Sequence, residues 1–214
     1  PQANKSNIFI DPNNQDIKIK AIEIYNSSNS DNSFIIAKEI FKWLKQNTEY
    51  KIHYDKNQVQ TCSFTFNEKT GDCDDLTFLY LSLCKSLDIP CRFIKGYLID
   101  PEETIGHVWA EVFVGNNIGD NGWIPVECAG SGVGSVNSEV EIHQNFGMET
   151  PDHLRLFKDN GSNGSLGIYL SGIYYMYNQD IDFENPEFFA DISDYKILRE
   201  ENLVINKDNI RTFK

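Results

Sequence analysis

The chain has 214 residues, of which 40% are hydrophobic and 24% are charged, and its formal net charge at pH 7 is -13. This length and apolar content predict one well-buried domain with a tail and exclude wholesale disorder. The acidic excess argues against a nucleic acid partner or an anionic membrane surface, because both bind clustered lysine and arginine.

The first predicted elements lie in a polar N-terminal stretch. Residues 1–33 are rich in asparagine, serine and aspartate, apart from an alternating run at 17–24 that predicts an edge strand. A helix is predicted next, capped by Asn32 or Ser33, with apolar residues at helical spacing. Those apolar residues are Phe34, Ala37, Ile40, Phe41 and Leu44. Residues 47–67 are predicted to be irregular, with short extended pieces.

The second predicted helix has the clearest boundaries. Asp72 is a good N-cap, and Asp75 stands three residues later, as in a capping box. Apolar residues line one face of this helix: Leu76, Leu79, Tyr80, Leu83, Cys84 and Leu87. The helix is expected to end before Pro90, because the residue that precedes a proline disfavours the helical conformation.

Consecutive strands are predicted after this helix. They cover residues 91–99, 108–114 and 123–127 and are separated by turn-rich segments. Two further β-prone stretches lie at 166–177 and 197–205. Helices followed by consecutive strands predict an α+β fold with an antiparallel sheet.

Three chemically active residues lie within these elements. Cys73 stands at the predicted helix start in GDCDD, His107 follows in GHVWAEV, and Glu127 ends the segment GWIPVE. A thiol, an imidazole and a carboxylate can act together as nucleophile, proton carrier and orienting group. The sequence therefore contains the three parts of a thiol nucleophile system.

The predicted environment of Cys73 has opposing effects on its thiol. A helix N-terminus favours a thiolate, and its unpaired N–H groups can stabilise an oxyanion. Asp72, Asp74 and Asp75 act in the opposite sense, since like charge disfavours a thiolate. We therefore expect these carboxylates to point away, or His107 to carry a compensating positive charge. The alternative is a cysteine that only packs at a helix start.

The strand that contains His107 has an unusual polar face. Alternation places His107, Trp109 and Glu111 on one side, a combination typical of a cleft wall. The alternative is an edge histidine that faces solvent. The other histidines lack such a setting and are predicted to lie at the surface: His53, His143 and His153.

The carboxylate of Glu127 is the predicted partner of the imidazole. If its strand and the His107 strand form a hairpin, the carboxylate can accept from the imidazole N–H and fix the tautomer. Asp120, in the turn before this strand, is an imperfect substitute.

In their order and setting, these three motifs resemble the transglutaminase-like superfamily of cysteine proteases, peptide amidases and transamidases over residues 34–157. The resemblance implies a papain- and transglutaminase-like α+β core, in which the cysteine-bearing helix packs on an antiparallel β-sheet. We expect residues 1–33 to form an N-terminal extension and residues 158–214 to form a β-rich part of the same domain or an extension. Many family members carry aspartate where this chain has Glu127.

The resemblance also implies an activity. It indicates a cysteine-dependent hydrolase that cleaves an amide, peptide or isopeptide bond through an acyl-enzyme, with Cys73, His107 and Glu127 as its triad. The alternatives are a transamidase that uses the same triad and a non-catalytic binding module on the same fold. We expect a peptide or protein substrate, cell-wall-type peptides included, and neither a cofactor nor a metal. The sequence contains no calcium-binding loop pattern, which disfavours the calcium-dependent transamidases.

The substrate cleft and the remaining cysteines are less sharply defined. Four residues are predicted to shape the cleft: Gly96, Tyr97, Gly106 and Trp109. A second oxyanion donor is expected upstream of Cys73, at Tyr54 or Gln60. The other cysteines form no C-x-x-C pair or zinc-site spacing, and Cys84 and Cys91 are predicted to be buried free thiols.

The sequence assigns no compartment. No apolar run approaches the roughly 18 residues that suggest a membrane span, and no signal peptide is visible. The chain begins at Pro1 and not at a methionine, so an upstream signal or anchor stays an open alternative.

Overall fold

The computed structural model describes residues 8–52, 59–99, 104–115, 118–129 and 139–161, together with the backbone of strands at 203–205 and 211–213. The helices are α1 (Gln15–Ser28), α2 (Ser33–Asn47), α3 (Cys62–Glu68), α4 (Cys73–Ser86) and α5 (Glu139–Asn145). The strands are β1 (Glu49–Tyr50), β2 (Thr70–Gly71), β3 (Cys91–Ile99), β4 (Thr104–Phe113), β5 (Trp123–Val126), β6 (His153–Asp159), β7 (Leu203–Ile205) and β8 (Arg211–Phe213).

The central feature is a four-stranded antiparallel sheet in the order β5-β4-β3-β6. Helix α4 packs against β3 and β4, and Thr77 donates from Oγ1 to the carbonyl oxygen of Val108 at 3.3 Å. The predicted α+β fold, with the cysteine-bearing helix on an antiparallel sheet, is therefore confirmed. Among the described residues, no helix is both long and apolar enough to cross a membrane.

The two best-defined helices begin where the sequence predicted. Asn32 caps α2 by accepting from the backbone N–H of Phe34 at 2.9 Å. Asp72 and Asp75 form the predicted capping box at the start of α4. Every residue of α4 from Asp75 to Cys84 is buried. This helix therefore lies in the centre of the core, with α1, α2 and α3 packed around it.

The structure corrects the prediction for residues 17–24, which belong to α1 and not to an edge strand. Asn14 caps this helix through its side chain. Three residues at helical spacing are buried: Ile17, Ala21 and Ile24. Ile19 and Ile22 are 46% and 41% exposed. The alternation of isoleucine with lysine concealed the helical stripe, and part of the predicted N-terminal extension contributes to the core.

The segment 47–67 is more regular than predicted. Its described part contains β1, which pairs with β2 in parallel, and the start of α3. Thr61 caps α3 by accepting from the backbone N–H of Phe64 at 3.3 Å. Cys62 and Thr65 are buried, whereas the rest of this short helix is largely polar or exposed. One turn of apolar contact is too little to give a recognisable periodicity.

The sequence did not predict α5 and β6. Strand β6 is an edge strand whose residues are mostly exposed, so it lacks the alternation that marks a half-buried strand. Strand β6 crosses residue 157, the predicted boundary between the core and the C-terminal part of the chain. The described part of the predicted strand at 197–205 forms β7, which pairs with β8. The β-prone stretch at 166–177 lies outside the described residues.

The helical assignment of residues 17–24 predicts unequal effects of one substitution at two positions of α1. Ile17→Ala should lower the free energy of unfolding by about 2–4 kcal/mol, because it empties a buried site. The matched control Ile19→Ala should change it by less than about 0.5 kcal/mol, since Ile19 faces solvent. Urea unfolding followed by circular dichroism measures both. A strand would place the two side chains on one face, so equal losses would contradict the helix.

Candidate active site

Cys73 is the first residue of α4, and all five cysteines are free thiols. Four of them are buried: Cys62, Cys84, Cys91 and Cys128. Cys73 is only partly buried, and its Sγ lies 3.8 Å from Oδ1 of Asp74. Partial exposure at a helix start makes Cys73 the cysteine best placed to meet a substrate. The predicted burial of Cys84 and Cys91 is confirmed.

A network of hydrogen bonds fixes the start of α4. Asp72 Oδ1 accepts from the backbone N–H of Asp74 at 3.2 Å, and Asp75 Oδ2 accepts from the backbone N–H of Asp72 at 3.2 Å. Gln60 donates to Asp75 from its backbone N–H and from Nε2, both at 2.7 Å. Gln60 therefore supports the start of α4. Its backbone N–H and Nε2 are directed at Asp75 and not at the position of an oxyanion. Tyr54, the other predicted donor, lies outside the described residues.

The surroundings of Cys73 favour its protonated thiol over the thiolate. Burial, followed by the carboxylates of Asp74 and Asp72, holds its pKa well above the ordinary value, although contact with the backbone of Val108 opposes this effect. Of the two opposing effects expected from the sequence, the acidic first turn, together with burial, outweighs the helix N-terminus. Burial and Asp72 also raise the pKa of Asp74 to about 7.

His107 and Glu127 are joined by a short hydrogen bond. His107 lies on β4, and Glu127 directly follows β5, which pairs with β4 as a hairpin neighbour. His107 Nε2 and Glu127 Oε2 are 2.7 Å apart, and the two side chains are only 8% and 14% exposed. Asp120 lies in the turn before β5, where its backbone pairs with Trp123. The structure thus brings together the predicted histidine and carboxylate.

Two further residues hold the segment that carries Glu127. The backbone N–H of Ala129 donates to Glu127 Oε1 at 3.0 Å. Lys45, a buried residue of α2, donates from Nζ to the carbonyl oxygens of Cys128 and Ala129 at 3.1 and 2.8 Å. The position of the carboxylate therefore depends on α2 as well as on the sheet. A lysine in an amphipathic helix gave no sequence signal for this role.

The carboxylate of Glu127 is ionised at neutral pH. Burial opposes the charge, but hydrogen bonds from His107 and His153 outweigh burial and lower the pKa of Glu127 to about 2. Because an ionised carboxylate can only accept hydrogen bonds, both imidazoles must donate to it from Nε2. Nδ1 of His107 is then the ring nitrogen that remains to exchange a proton with a thiol.

His153 is the main site residue that sequence analysis missed, since it was predicted to lie at the surface. Its side chain is 9% exposed, and its Nε2 lies 3.2 Å from Glu127 Oε2. Its Nδ1 lies 2.9 Å from Oγ1 of Thr150 and 3.3 Å from Oδ1 of Asp152. Burial lowers the pKa of His153, but the hydrogen bond to Glu127 outweighs it and raises that pKa. The polar side chains next to His153 were the available sequence signal.

Trp109 supports both imidazoles. Its ring stacks on His107 with centroids 5.8 Å apart and meets His153 edge-on at 4.8 Å. Its Nε1 donates to Oε2 of Glu149 at 2.9 Å. On the intervening strand β3, a Cβ added to Gly96 would lie 3.0 Å from this indole and 1.9 Å from a backbone oxygen of β6. Gly96 thus permits the close approach of Trp109 and β6, whereas cleft roles for both residues stay predictions.

Glu111 has a structural role in place of its predicted position on a cleft wall. Its side chain is 2% exposed and pairs with Arg92, whose Nε lies 2.6 Å from Glu111 Oε2, and with Arg155. Arg155 also donates from Nε to Glu149 Oε1 at 2.8 Å. A continuous chain of charged groups therefore connects Arg92 to the hydrogen-bond partner of Trp109, beside the two histidines.

Tyr50 is a second residue that sequence analysis missed. Its strand β1 pairs with β2 so that Tyr50 lies opposite Gly71, two residues before Cys73. Burial, followed by the negative charges of Asp72 and Glu127, raises the pKa of the Tyr50 phenol to about 12. The phenol is therefore a neutral hydrogen-bond donor near Cys73.

The remaining predicted residues are less constrained. Tyr97 on β3 is partly buried, and Gly106 on β4 is exposed, with no atom within 4 Å of a Cβ added there. Sterics therefore do not require glycine at position 106, and the cleft roles of both residues stay predictions. His143 on α5 is half-buried, and His53 lies outside the described residues.

Comparison with known proteins identifies the family. A family model for the transglutaminase-like superfamily matches residues 21–128, half of the chain. The protein therefore belongs to the transglutaminase-like superfamily, a family of cysteine-dependent hydrolases and transamidases. The match begins inside α1, includes Cys73, His107 and Glu127, and ends before His153.

Other comparisons are more distant. No curated protein matches the sequence. Among solved structures, a Cytophaga hutchinsonii protein with a provisional assignment as a cysteine protease is 17% identical, with a TM-score of 0.47. The match covers 72% of this chain and 44% of that protein, so this chain spans less than half of its length.

The elevated thiol pKa predicts the effect of removing one nearby charge. Asp74→Asn should speed alkylation of Cys73 by about three- to tenfold at pH 8, because loss of a negative charge lowers the thiol pKa. Below about pH 6 the difference should vanish, since Asp74, with a pKa of about 7, is then mostly neutral in the wild type.

The rate of iodoacetamide labelling as a function of pH measures this effect. Asp16→Asn is the matched control, because Asp16 occupies the same second position of α1, far along the chain from the thiol. It should leave the Cys73 rate unchanged. A rate for Asp74→Asn that equals the wild-type rate at pH 8 would show that Asp74 does not act on the thiol.

Proposed function

We propose that this protein is a thiol hydrolase that cleaves an amide, peptide or isopeptide bond through an acyl-enzyme. The observation that carries the proposal is the buried 2.7 Å hydrogen bond between His107 and Glu127. Two observations support Cys73 as the partner of this pair: its thiol contacts the backbone of Val108, the residue after His107, and the charge of Glu127 acts on its pKa. Family membership supports the same assignment.

In the proposed acylation step, the thiol of Cys73 transfers its proton to Nδ1 of His107 as Sγ attacks the carbonyl carbon. Since the resting thiol is neutral, we expect His107 to act as a general base in this step, and not to form a stable ion pair beforehand. Glu127 holds the ring through Nε2 and stabilises the imidazolium that forms. The imidazolium then protonates the leaving amine as the C–N bond breaks, which leaves a thioester on Cys73.

In the proposed deacylation step, water replaces the amine. His107 accepts a proton from the water, which attacks the thioester carbonyl, and the thiol is restored as the acid leaves. The backbone N–H of Cys73, which the capping network does not use, and the neutral phenol of Tyr50 are the donors that we assign to the oxyanion. We expect the substrate to be a peptide or protein, cell-wall-type peptides included.

Transamidation uses the same three residues, with an amine in place of water as the acyl acceptor. The binding-module alternative retains the cleft without turnover. An assay that supplies a peptide amide with and without a primary amine separates these functions, because the products are an acid, a new amide or neither.

The proposal predicts that Cys73 is selectively alkylated and essential for turnover. Limiting iodoacetamide at neutral pH should modify Cys73 before the four buried cysteines, as mass spectrometry would show. Cys73→Ala should abolish release of product from a peptide amide. Cys84→Ala is the control. Because Cys84 is buried in the core, this variant should change the stability of the fold and not the turnover of the peptide amide. Uniform labelling, or turnover by Cys73→Ala, would overturn the assignment of the nucleophile.

The orienting role of Glu127 predicts a graded series. Glu127→Gln should preserve the fold and lower kcat by about 10²- to 10⁴-fold, less than Cys73→Ala does, because the amide stabilises the imidazolium poorly. Glu127→Asp should be intermediate, since it keeps the charge but shortens the reach by one methylene. Steady-state kinetics on a cleavable peptide amide measure the series. Full activity of Glu127→Gln would remove the carboxylate from the proposed machinery.

A further inference from the structure

Three residues of the candidate site direct metal-binding atoms toward one point. One ligand atom each from His107, Glu127 and His153 lies within 4.8 Å of the other two. The two Nε2 atoms lie 2.7 and 3.2 Å from the same carboxylate oxygen. The proposed reaction uses only one of these imidazoles. The second imidazole therefore has no part in the steps described above.

The donor set suits Zn²⁺. Two imidazoles and one carboxylate form a recognised zinc site that leaves a fourth position open. Zinc bonds of about 2.0–2.2 Å place the ligand atoms of a tetrahedral site about 3.4 Å apart. The two separations from the carboxylate oxygen, 2.7 and 3.2 Å, lie below this value, and all three atoms lie within 4.8 Å of one another, so side-chain shifts of about 1 Å create the site. The ion would take the place of the two protons that the imidazoles share with Glu127.

The surrounding groups hold these ligands as the outer shell of a metal site does. The Nδ1 of His153 contacts Thr150 and Asp152, the arrangement that orients an imidazole for coordination through Nε2. Oε1 of Glu127 accepts from the backbone N–H of Ala129, which leaves Oε2 directed at the histidines. Trp109 packs on both imidazole rings. The ligands are therefore positioned before an ion arrives.

We propose that His107, Glu127 and His153 bind Zn²⁺ and that the bound ion switches off the thiol chemistry. A neutral imidazole that coordinates through Nε2 carries its proton on Nδ1. In that state His107 cannot accept the proton of Cys73, so the nucleophile is not formed. The metal site stands on the contacts alone, whereas the inhibition rests on the proposed function.

Isothermal titration calorimetry with Zn²⁺ alone tests the site on the reduced full chain. The wild type should bind one equivalent. His153→Gln and Glu127→Gln should each weaken binding by at least about 100-fold, because loss of a ligand costs more than loss of an outer-shell partner. His143→Gln is the matched control, since His143 lies on α5 outside the cluster, and it should bind as the wild type does. Ca²⁺ should not bind, because it prefers oxygen ligands.

Binding to cysteine is the main competing explanation, and Cys73→Ala tests it. This variant should still bind one Zn²⁺. The proposal is overturned if the wild type does not bind, if His153→Gln and Glu127→Gln bind as tightly as the wild type, or if binding is lost only in Cys73→Ala. Thermal unfolding with and without Zn²⁺ provides a second measure, because the ion should raise the Tm of the wild type and not of His153→Gln.

The inhibitory effect has its own measurement. Zn²⁺ should stop turnover of a peptide amide by the wild type and have little effect on turnover by His153→Gln. Unchanged turnover by zinc-loaded wild type would overturn the switch and leave the metal site standing. If no amide substrate is ever turned over but calorimetry finds the expected pattern, the proposed function fails and the metal site does not.

Discussion

Oε2 of Glu127 accepts hydrogen bonds from His107 on β4 and from His153 on β6, two strands that are separated by β3. A buried carboxylate is stable only where hydrogen-bond donors replace its lost hydration. The charge of Glu127 therefore depends on the positions of both β4 and β6. Oε1 is held by the backbone of Ala129, whose carbonyl is in turn held by Lys45 of α2. The position of one carboxylate therefore ties together the sheet order, the loop after β5 and the helical layer.

The start of α4 shows a conflict between helix formation and thiol acidity. The capping box needs carboxylates at Asp72 and Asp75, and Gln60 adds two donors that hold Asp75 in place. These interactions stabilise the helix that presents Cys73. Asp72, together with Asp74, also raises the pKa of the thiol. The sequence thus secures the position of Cys73 at the expense of its ionisation, and in the proposed mechanism His107 supplies the base.

Local patterns predicted the parts of this fold that depend on neighbouring residues. The cap at Asp72 and the polar face containing His107 are features of a few consecutive positions, and both were found. Residues 17–24 were misassigned because alternating isoleucine and lysine fit a strand as well as a helix. His153 was missed for a different reason: only the pairing of β6 with β3 brings it to Glu127, and an exposed edge strand carries little signal. Contacts between residues far apart in the sequence, and not local patterns, determine the position of His153 and the burial of one face of α1.

The protonated state of Cys73 has a consequence for the lifetime of the protein in oxidising surroundings. Peroxides attack thiolates and convert them to sulfenic acid, which can proceed to forms that are not reversed. A partly exposed thiol at a helix start is ordinarily vulnerable to this damage. Burial, Asp74 and Asp72 keep Cys73 in the less reactive thiol form between encounters. The same acidic turn that disfavours the Cys73 thiolate therefore also slows its reaction with oxidants.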